Sequence, residues 1–117
     1  MKHFLAIYTG SGDAMEKWKS VPEAERRQRE AEGIKAWHQW VENNKRSIVD
    51  VGAPLGRTKR AAKTGVSDIR NNMTAYTVVQ AESHEAAAKL FAHHPHFTVF
   101  PGDGIEVMEC LPIPTAS

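Results

Sequence analysis

The chain has 117 residues, of which 41% are hydrophobic and 25% are charged, and its formal net charge is +1. This length predicts one domain (1–117), and the small net charge gives no general attraction to nucleic acid or to a membrane surface. The single cysteine, Cys110, excludes an internal disulfide, and no apolar stretch is long enough to span a bilayer. No basic-then-apolar leader opens the chain, so we expect a soluble, cytoplasmic protein.

The first apolar segment predicts a strand. Residues 3–9 are mostly apolar at consecutive positions, which is typical of a strand that is buried on both faces. Glycines at 10 and 12 end this strand with turn dihedrals. Asp13 is a candidate cap for a short helical turn over 14–18.

A long helix follows. It is predicted to begin at 20–23, where proline suits a first turn, and to close at Lys45 and Arg46, which favour the negative end of the helix dipole. Gly33 lies inside it at a cost of about 1 kcal/mol relative to alanine, so a kink is an alternative to a continuous helix. Residues at helical spacing mark the predicted inward face, and these are Ala31, Ile34, Trp37, His38 and Val41.

Two further strands are predicted in the middle of the chain. The second strand covers 47–52, and the third covers 74–81, where β-branched and aromatic residues are frequent. Between them, the polar and basic residues of 58–72 predict a long hairpin connection. The predicted order of the main elements up to residue 81 is therefore strand, helix, strand, strand.

The end of the chain predicts a helix and a last strand. Ser83 is a good N-cap, Pro95 stops the helix, and 104–111 place apolar side chains on both faces of a strand. The order strand, helix, strand, strand, helix, strand predicts an α+β, ferredoxin-like βαββαβ fold, with a four-stranded antiparallel sheet and two helices on one face.

Two helices cover only one face of such a sheet, so we expect a second copy of the chain to cover the other face in a homodimer. The last strand offers two apolar sets for this contact. One contains Ile105 and Val107, and the other contains Met108 and Cys110. The pattern leaves open which set faces the second copy.

Several segments, taken in order, form a further pattern. They are residues 2–8, Trp37-His38-Gln39-Trp40-Val41, residues 50–55, residues 76–83, and His94-Pro95 with Ile105-Glu106-Val107. Over most of its length the chain thus resembles the YCII-related protein family, including its DGPF-type branch. The resemblance implies a dimeric α+β barrel of two sheets packed face to face, a cavity between sheet and helices, and a site with a histidine and an aspartate. The Asp-Gly-Pro-Phe motif is absent, and Val66-Ser67-Asp68-Ile69 stands roughly in its place, so no role of that motif is carried over.

His38 and Asp50 are the candidate catalytic residues. His38 lies about 60° from the centre of the apolar stripe of its helix, where it can face a cavity beside the sheet. A histidine exchanges protons near neutral pH, and Asp50 on the next strand is the natural carboxylate to orient it. The alternative is a partly exposed histidine with Asp50 facing solvent. The two hypotheses for function are cofactor-free acid–base chemistry on a small molecule and a non-catalytic ligand-binding or assembly module.

Four residues are predicted to shape the ligand pocket. Trp40 lies towards the edge of the helix stripe and is a better pocket candidate than Trp37, which is predicted to be core. Tyr76 is a candidate for lining the pocket, and His94 for bordering its mouth. An inward Glu106 on the last strand would be one mark of a functional site, and a salt bridge at the dimer rim is the alternative.

Other features have simpler interpretations. The histidines of 93–96 are too few for a structural metal site and are predicted to complement a helix C-terminus, so no metal or cofactor is expected. Cys110 is predicted to be a small buried hydrophobe. The basic residues of 57–63 predict a solvated hairpin flank, with contact to an anionic ligand as the alternative. Nucleic acid is not expected, because no aromatic residues are interleaved with the basic ones.

Overall fold

The computed structural model describes residues 1–115, and its centre is an antiparallel sheet of four strands. The strands are β1 (Lys2–Thr9), β2 (Ile48–Pro54), β3 (Thr58–Ala62), β4 (Gly65–Ile69), β5 (Met73–Ala81) and β6 (Gly104–Glu109). The main sheet has the order β2-β5-β1-β6, whereas β3 and β4 form a separate pair. Because β1 lies between β5 and β6, the sheet forms only when both ends of the chain have come together.

Helices connect the strands of the main sheet. They are α1 (Gly12–Lys19), α2 (Glu23–Asn43), α3 (His84–Lys89) and α4 (Pro95–Thr98), with a 3₁₀ turn at Lys45–Ser47. This order and the strand pairing confirm the predicted ferredoxin-like α+β fold. Within residues 1–115, no helix combines the length and the apolar character that a membrane crossing needs.

One face of the main sheet forms the core, because side chains alternate between the two faces of a strand. On β1, Phe4, Ala6 and Tyr8 are buried, and the register sets Phe4 opposite Val79 and Ala6 opposite Thr77. Helix α2, helix α3 and the turn after α3 cover this face with Trp40, Ala87 and Phe91. Burial of each large apolar side chain in this core contributes about 1.5–3 kcal/mol to the free energy of unfolding. This packing holds the helices on the sheet.

The opposite face of the sheet has no helical cover in the single chain. Leu5 lies there opposite Met108, which is 44% exposed. Ile105 and Val107 instead pack against the core. Of the two apolar sets in the last strand, the set with Met108 therefore lies on the open face. Cys110, predicted to be buried, is exposed in the single chain.

Helix α2 is continuous, and its inward face differs from the predicted one. Gly33 and Trp40 are buried, whereas Ile34 is 55% exposed and His38 is exposed. A Cβ added at Gly33 would collide with the ring of Phe100, so this ring packs directly on the helix backbone. The predicted inward face was therefore wrong. It left Gly33 out of the contact surface, whereas the helix approaches its neighbours most closely at this glycine, which has no side chain.

Residues 58–69 form a β-hairpin, where the sequence pattern predicts only a connection. β3 pairs with β4 from Thr58 opposite Ile69 to Ala62 opposite Gly65. Gly65 has φ +129°, a value that side chains rarely allow, and it forms the end of the turn. Nearly all of the hairpin is exposed, so it is a separate arm of the structure.

Two helix ends differ from the predictions. Ser11 caps α1 by accepting a hydrogen bond from the Ala14 N–H at 3.2 Å, whereas Asp13 lies inside the first turn. α3 ends at Lys89, so His94 does not lie at a helix C-terminus. His94 is instead the N-cap of α4. This position gives the imidazole a backbone partner of its own.

Candidate functional site

A cavity of about 350 Å³ lies between helix α2, strands β1, β5 and β2, and the segment that contains α4. This volume is within the range of sites that bind small organic molecules. Apolar and aromatic residues form much of its wall, among them Ile34, Trp37, Val51, Pro54, Tyr76 and Phe100. A flat apolar molecule would thus find aromatic surfaces on several sides.

The polar side chains of the cavity are hydroxyls and imidazoles. They are those of Tyr8, Tyr76, Thr77, His38, His94 and His96, and the indole N–H of Trp37 adds a further donor. The hydroxyls come from the adjacent strands β1 and β5. The His96 imidazole comes from α4, and the His94 imidazole comes from the N-cap of this helix. None of these groups carries a fixed charge, so the cavity offers hydrogen bonds rather than a strong electric field.

A hydrogen-bond chain connects the buried His94 to the sheet. His94 is 1% exposed, and its Nε2 lies 3.2 Å from the Tyr8 hydroxyl. The Tyr8 hydroxyl lies 2.9 Å from Thr77 Oγ1, which donates to the Val51 carbonyl at 2.9 Å. At the other side of the imidazole, Nδ1 accepts from the His96 backbone N–H at 3.0 Å.

The ends of this chain fix the direction of every hydrogen bond in it. Because Nδ1 of His94 accepts, the proton of the neutral ring lies on Nε2, which donates to Tyr8. Thr77 uses its only proton on the Val51 carbonyl, so it must accept from Tyr8. The chain therefore runs from His94 through Tyr8 and Thr77 to a backbone carbonyl, and each member is satisfied.

The chain requires a neutral His94 and a neutral Tyr8. Burial, with a smaller contribution from His96, lowers the pKa of His94 from 6.5 to about 4. Burial raises the pKa of the Tyr8 phenol above its ordinary value, against hydrogen bonds with Thr77 and Trp37 that lower it. Neither group is ionised at neutral pH, so His94 acts there as a fixed dipole rather than as a charge.

Aromatic rings hold the His94 imidazole in place. The ring of Trp40 lies 4.6 Å from it and that of Tyr8 5.0 Å, both edge to face, and Phe91 lies at 6.0 Å. The Trp40 indole N–H donates to the Leu90 carbonyl at 2.8 Å. Trp40, predicted to shape the pocket, is thus buried in the core behind His94, and Trp37, predicted to be core, lines the cavity.

His96 is positioned by two backbone segments. Its Nε2 lies 2.7 Å from the Thr9 carbonyl at the end of β1. Its ring also packs on Gly102, where an added Cβ would collide with the imidazole. His96 lies two residues after His94, so the same short helix presents both rings to the cavity.

The structure does not bring His38 and Asp50 together. His38 lines the cavity from α2 and is exposed. The Asp50 carboxylate accepts a hydrogen bond from the Gly52 N–H at 2.9 Å and is exposed. Gly52 has φ +79°, and a Cβ there would collide with the Tyr76 carbonyl, so β2 bulges where Asp50 lies.

The other predicted pocket residues are divided between the two sides of the sheet. Tyr76 and His94 line the cavity. Glu106 is exposed and pairs with Ile7, on the face that the helices leave open. Its carboxylate therefore lies on the opposite side of the sheet from the cavity.

Sequence reasoning missed much of the polar network. Tyr8 and Thr77 occupy the core face of the two central strands, where a hydroxyl needs a partner, and this was the available signal. For His96, the only signal in the sequence was its position two residues after His94. Phe100 gave no local signal, because its role depends on Gly33 of a distant helix.

The three neighbouring histidines do not form a metal site together. His93 is exposed, whereas His94 and His96 have the hydrogen-bond partners described above. Among residues 1–115, no three histidine, cysteine, aspartate or glutamate side chains meet closely enough to hold a metal ion.

The fold is similar to that of a solved enzyme. This enzyme is the 5-chloro-2-hydroxyhydroquinone dehydrochlorinase TftG from Burkholderia phenoliruptrix AC1100, solved in complex with 2,5-dihydroxybenzoquinone. The TM-score is 0.51 at 15% sequence identity, and the match covers 92% of this chain and 90% of that chain. No family model matches the chain, and no curated protein matches it in sequence. The comparison therefore establishes a shared fold, and membership of the YCII-related family stays a prediction.

The buried His94 predicts a specific loss of stability in acid. Between pH 6.5 and about 4, the unfolded chain binds a proton at His94 that the folded chain does not, so the free energy of unfolding falls as the pH drops through this range. The full difference is roughly 3 kcal/mol. In His94→Asn the amide oxygen can still cap α4 and nothing titrates at this site. We expect this variant to be less stable by about 2–4 kcal/mol at neutral pH but to lose less stability in acid.

Urea unfolding at several pH values, at one protein concentration, measures both effects. His93→Asn, at the exposed neighbouring histidine, is the matched control and should keep the wild-type pH dependence. Equal pH dependence in the His94→Asn and wild-type proteins would contradict the assignment of a neutral, buried His94.

Proposed function

We propose that the protein binds a small planar ring compound in the cavity, and that His38 exchanges protons with this compound without a cofactor. The observation that carries the proposal is the cavity itself, which combines about 350 Å³ of space and aromatic walls with a few imidazole and hydroxyl groups. Tyr76 and His94 contribute to its shape, and Trp40 supports His94 from the core.

The comparison with TftG supports the class of ligand. That protein was solved with 2,5-dihydroxybenzoquinone, a flat six-membered ring that bears oxygen atoms. A ring of this kind matches aromatic walls such as Trp37 and Phe100 in shape and polarisability. At 15% identity the likeness does not extend to the reaction, so the chemistry rests on the residues of this chain.

His38 is the cavity imidazole best placed for proton transfer. His94 has both ring nitrogens in hydrogen bonds, and His96 has Nε2 bound to the Thr9 carbonyl. Among the described residues, no group forms a hydrogen bond to the His38 ring. A histidine with free nitrogens can exchange protons with both ligand and solvent. The proposal gives no orienting role to Asp50, whose carboxylate is bound to the Gly52 N–H.

A non-catalytic binding module is the second candidate. The exposed position of His38, whose ring forms no hydrogen bond with a carboxylate among residues 1–115, favours this alternative. In that case the cavity would hold its ligand through shape and hydrogen bonds alone. The two candidates differ in whether the bound compound exchanges protons at carbon.

Deuterium exchange separates the two candidates without knowledge of the natural substrate. Benzene-1,3,5-triol is a suitable probe, because it is a planar hydroxylated ring whose C–H protons exchange through its keto tautomer. We expect the protein to accelerate exchange of these protons in D₂O, measured by proton NMR, and His38→Gln to reduce the protein-catalysed rate about 100-fold or more.

His93→Gln is the matched control, since His93 is also exposed but does not line the cavity. It should keep the wild-type rate. Acceleration that persists in His38→Gln would contradict the role of His38. Binding of benzene-1,3,5-triol without acceleration in the wild-type protein would favour the binding module.

We also propose that the open face of the sheet binds a second copy of the chain. Leu5 and Ile7 alternate with the buried residues of β1, so they lie on this face, and Met108 lies beside Leu5. Apolar side chains gathered on an uncovered sheet face are typical of an interface. A second sheet would cover them without disturbing the cavity on the other side.

Light scattering tests this proposal. We expect a particle of twice the 13.0 kDa chain mass. Leu5→Lys, which places a charge on the open face, should give the monomer mass. Val66→Lys, at an exposed apolar residue of the hairpin, is the control and should leave the mass unchanged. A wild-type protein that stays at 13.0 kDa at micromolar concentration would contradict the proposal.

A further inference from the structure

The hydrogen-bond chain uses the protons of three polar groups in the cavity wall. Tyr8 gives its proton to Thr77, and Thr77 gives its proton to the Val51 carbonyl. His94 gives its proton to Tyr8. The protons of these three groups are therefore not free for a ligand. The other polar groups of the wall are the imidazoles of His38 and His96, the Tyr76 hydroxyl and the Trp37 indole N–H.

His96 lines the cavity and keeps one acceptor nitrogen without a partner among the described residues. The Thr9 carbonyl can only accept a hydrogen bond, so His96 Nε2 carries the proton and Nδ1 of the neutral ring carries a lone pair. No group among the described residues donates to this Nδ1. Every buried side-chain nitrogen and oxygen of residues 1–115 has a partner, so the unpartnered Nδ1 is accessible. His96 itself lines the cavity.

The acceptor is also held in a fixed orientation. The hydrogen bond to Thr9 fixes one edge of the His96 ring, and Gly102 supports the ring. The backbone N–H of His96 donates to His94 Nδ1, and this bond ties the main chain of His96 to the buried network. A fixed acceptor discriminates between ligands better than one on a mobile side chain, because less conformational freedom is lost on binding.

We infer that His96 Nδ1 accepts a hydrogen bond from a hydroxyl group of the ligand, so that the cavity selects hydroxylated rings of the phenol or enol class. This inference rests on the proposed function, that is, on the binding of a ring compound in the cavity. At this position a carboxylate or phosphate oxygen would face the lone pair of Nδ1, so an anionic group is disfavoured there. His96 is a specificity-determining residue in this account.

Two nearly isosteric ligands test the inference by isothermal titration calorimetry. They are 4-methylphenol and 1,4-dimethylbenzene, which differ by one hydroxyl in place of a methyl group. We expect the wild-type protein to bind 4-methylphenol at least as tightly as 1,4-dimethylbenzene. In His96→Phe, which keeps a ring but removes the acceptor, the ratio of the two affinities should shift about tenfold towards 1,4-dimethylbenzene.

His93→Phe is the matched control and should keep the wild-type ratio. If His96→Phe fails to fold, ¹⁵N NMR of the wild-type protein gives the same answer. 4-Methylphenol should shift the Nδ1 resonance of His96 and 1,4-dimethylbenzene should not, and an Nδ1 that responds to neither overturns the inference.

The outcomes distinguish the inference from the proposed function. Binding of both compounds with an unchanged affinity ratio in His96→Phe overturns the inference and leaves ring binding intact. A wild-type protein that binds neither compound overturns both.

Discussion

The cavity depends on one buried, neutral imidazole. His94 accepts a hydrogen bond from the His96 backbone N–H and donates one to Tyr8, so a single ring joins the α4 segment to the central strand β1. Trp40 and Phe91 exclude water around it. A charged ring would lose the bond at Nδ1 and would be costly to bury, which is why burial lowers its pKa to about 4. Protonation would therefore break the hydrogen bond that ties the His96 backbone to this ring.

The three imidazoles of the cavity therefore differ in how many of their ring nitrogens are free. His94 is a structural dipole with no free nitrogen, whereas His96 keeps one lone pair and His38 keeps both nitrogens free at the rim. In the proposed function, this difference in environment, rather than in residue type, separates the structural role of His94 from ligand recognition by His96 and proton exchange by His38. The sheet divides the molecule in a similar way, because the cavity lies on its covered face and the apolar open face lies on the other.

The sequence predicted the strands, their order and the fold class well, since alternation, caps and β-branched composition are local properties. It failed where distant segments decide. The inward face of α2 depends on the contact of Gly33 with Phe100, and the position of Asp50 depends on the bulge at Gly52. The environment of His94 depends on Tyr8, 86 residues away, so the sequence predicted a helix-end residue at the pocket mouth and not a buried member of a hydrogen-bond chain. The sequence thus predicted His38, Tyr76 and His94 among the cavity residues, but not the side of the sheet on which Glu106 lies or the hydrogen bonds of the site.

The central claim is that His94 is neutral and carries its proton on Nε2. Long-range ¹H–¹⁵N NMR of the imidazole rings, recorded between pH 6.5 and about 4, measures this directly. The account predicts two separate ¹⁵N resonances for His94, one protonated at Nε2 and one unprotonated at Nδ1, throughout most of this range. An imidazolium, or a proton on Nδ1, at the upper end of the range would contradict it.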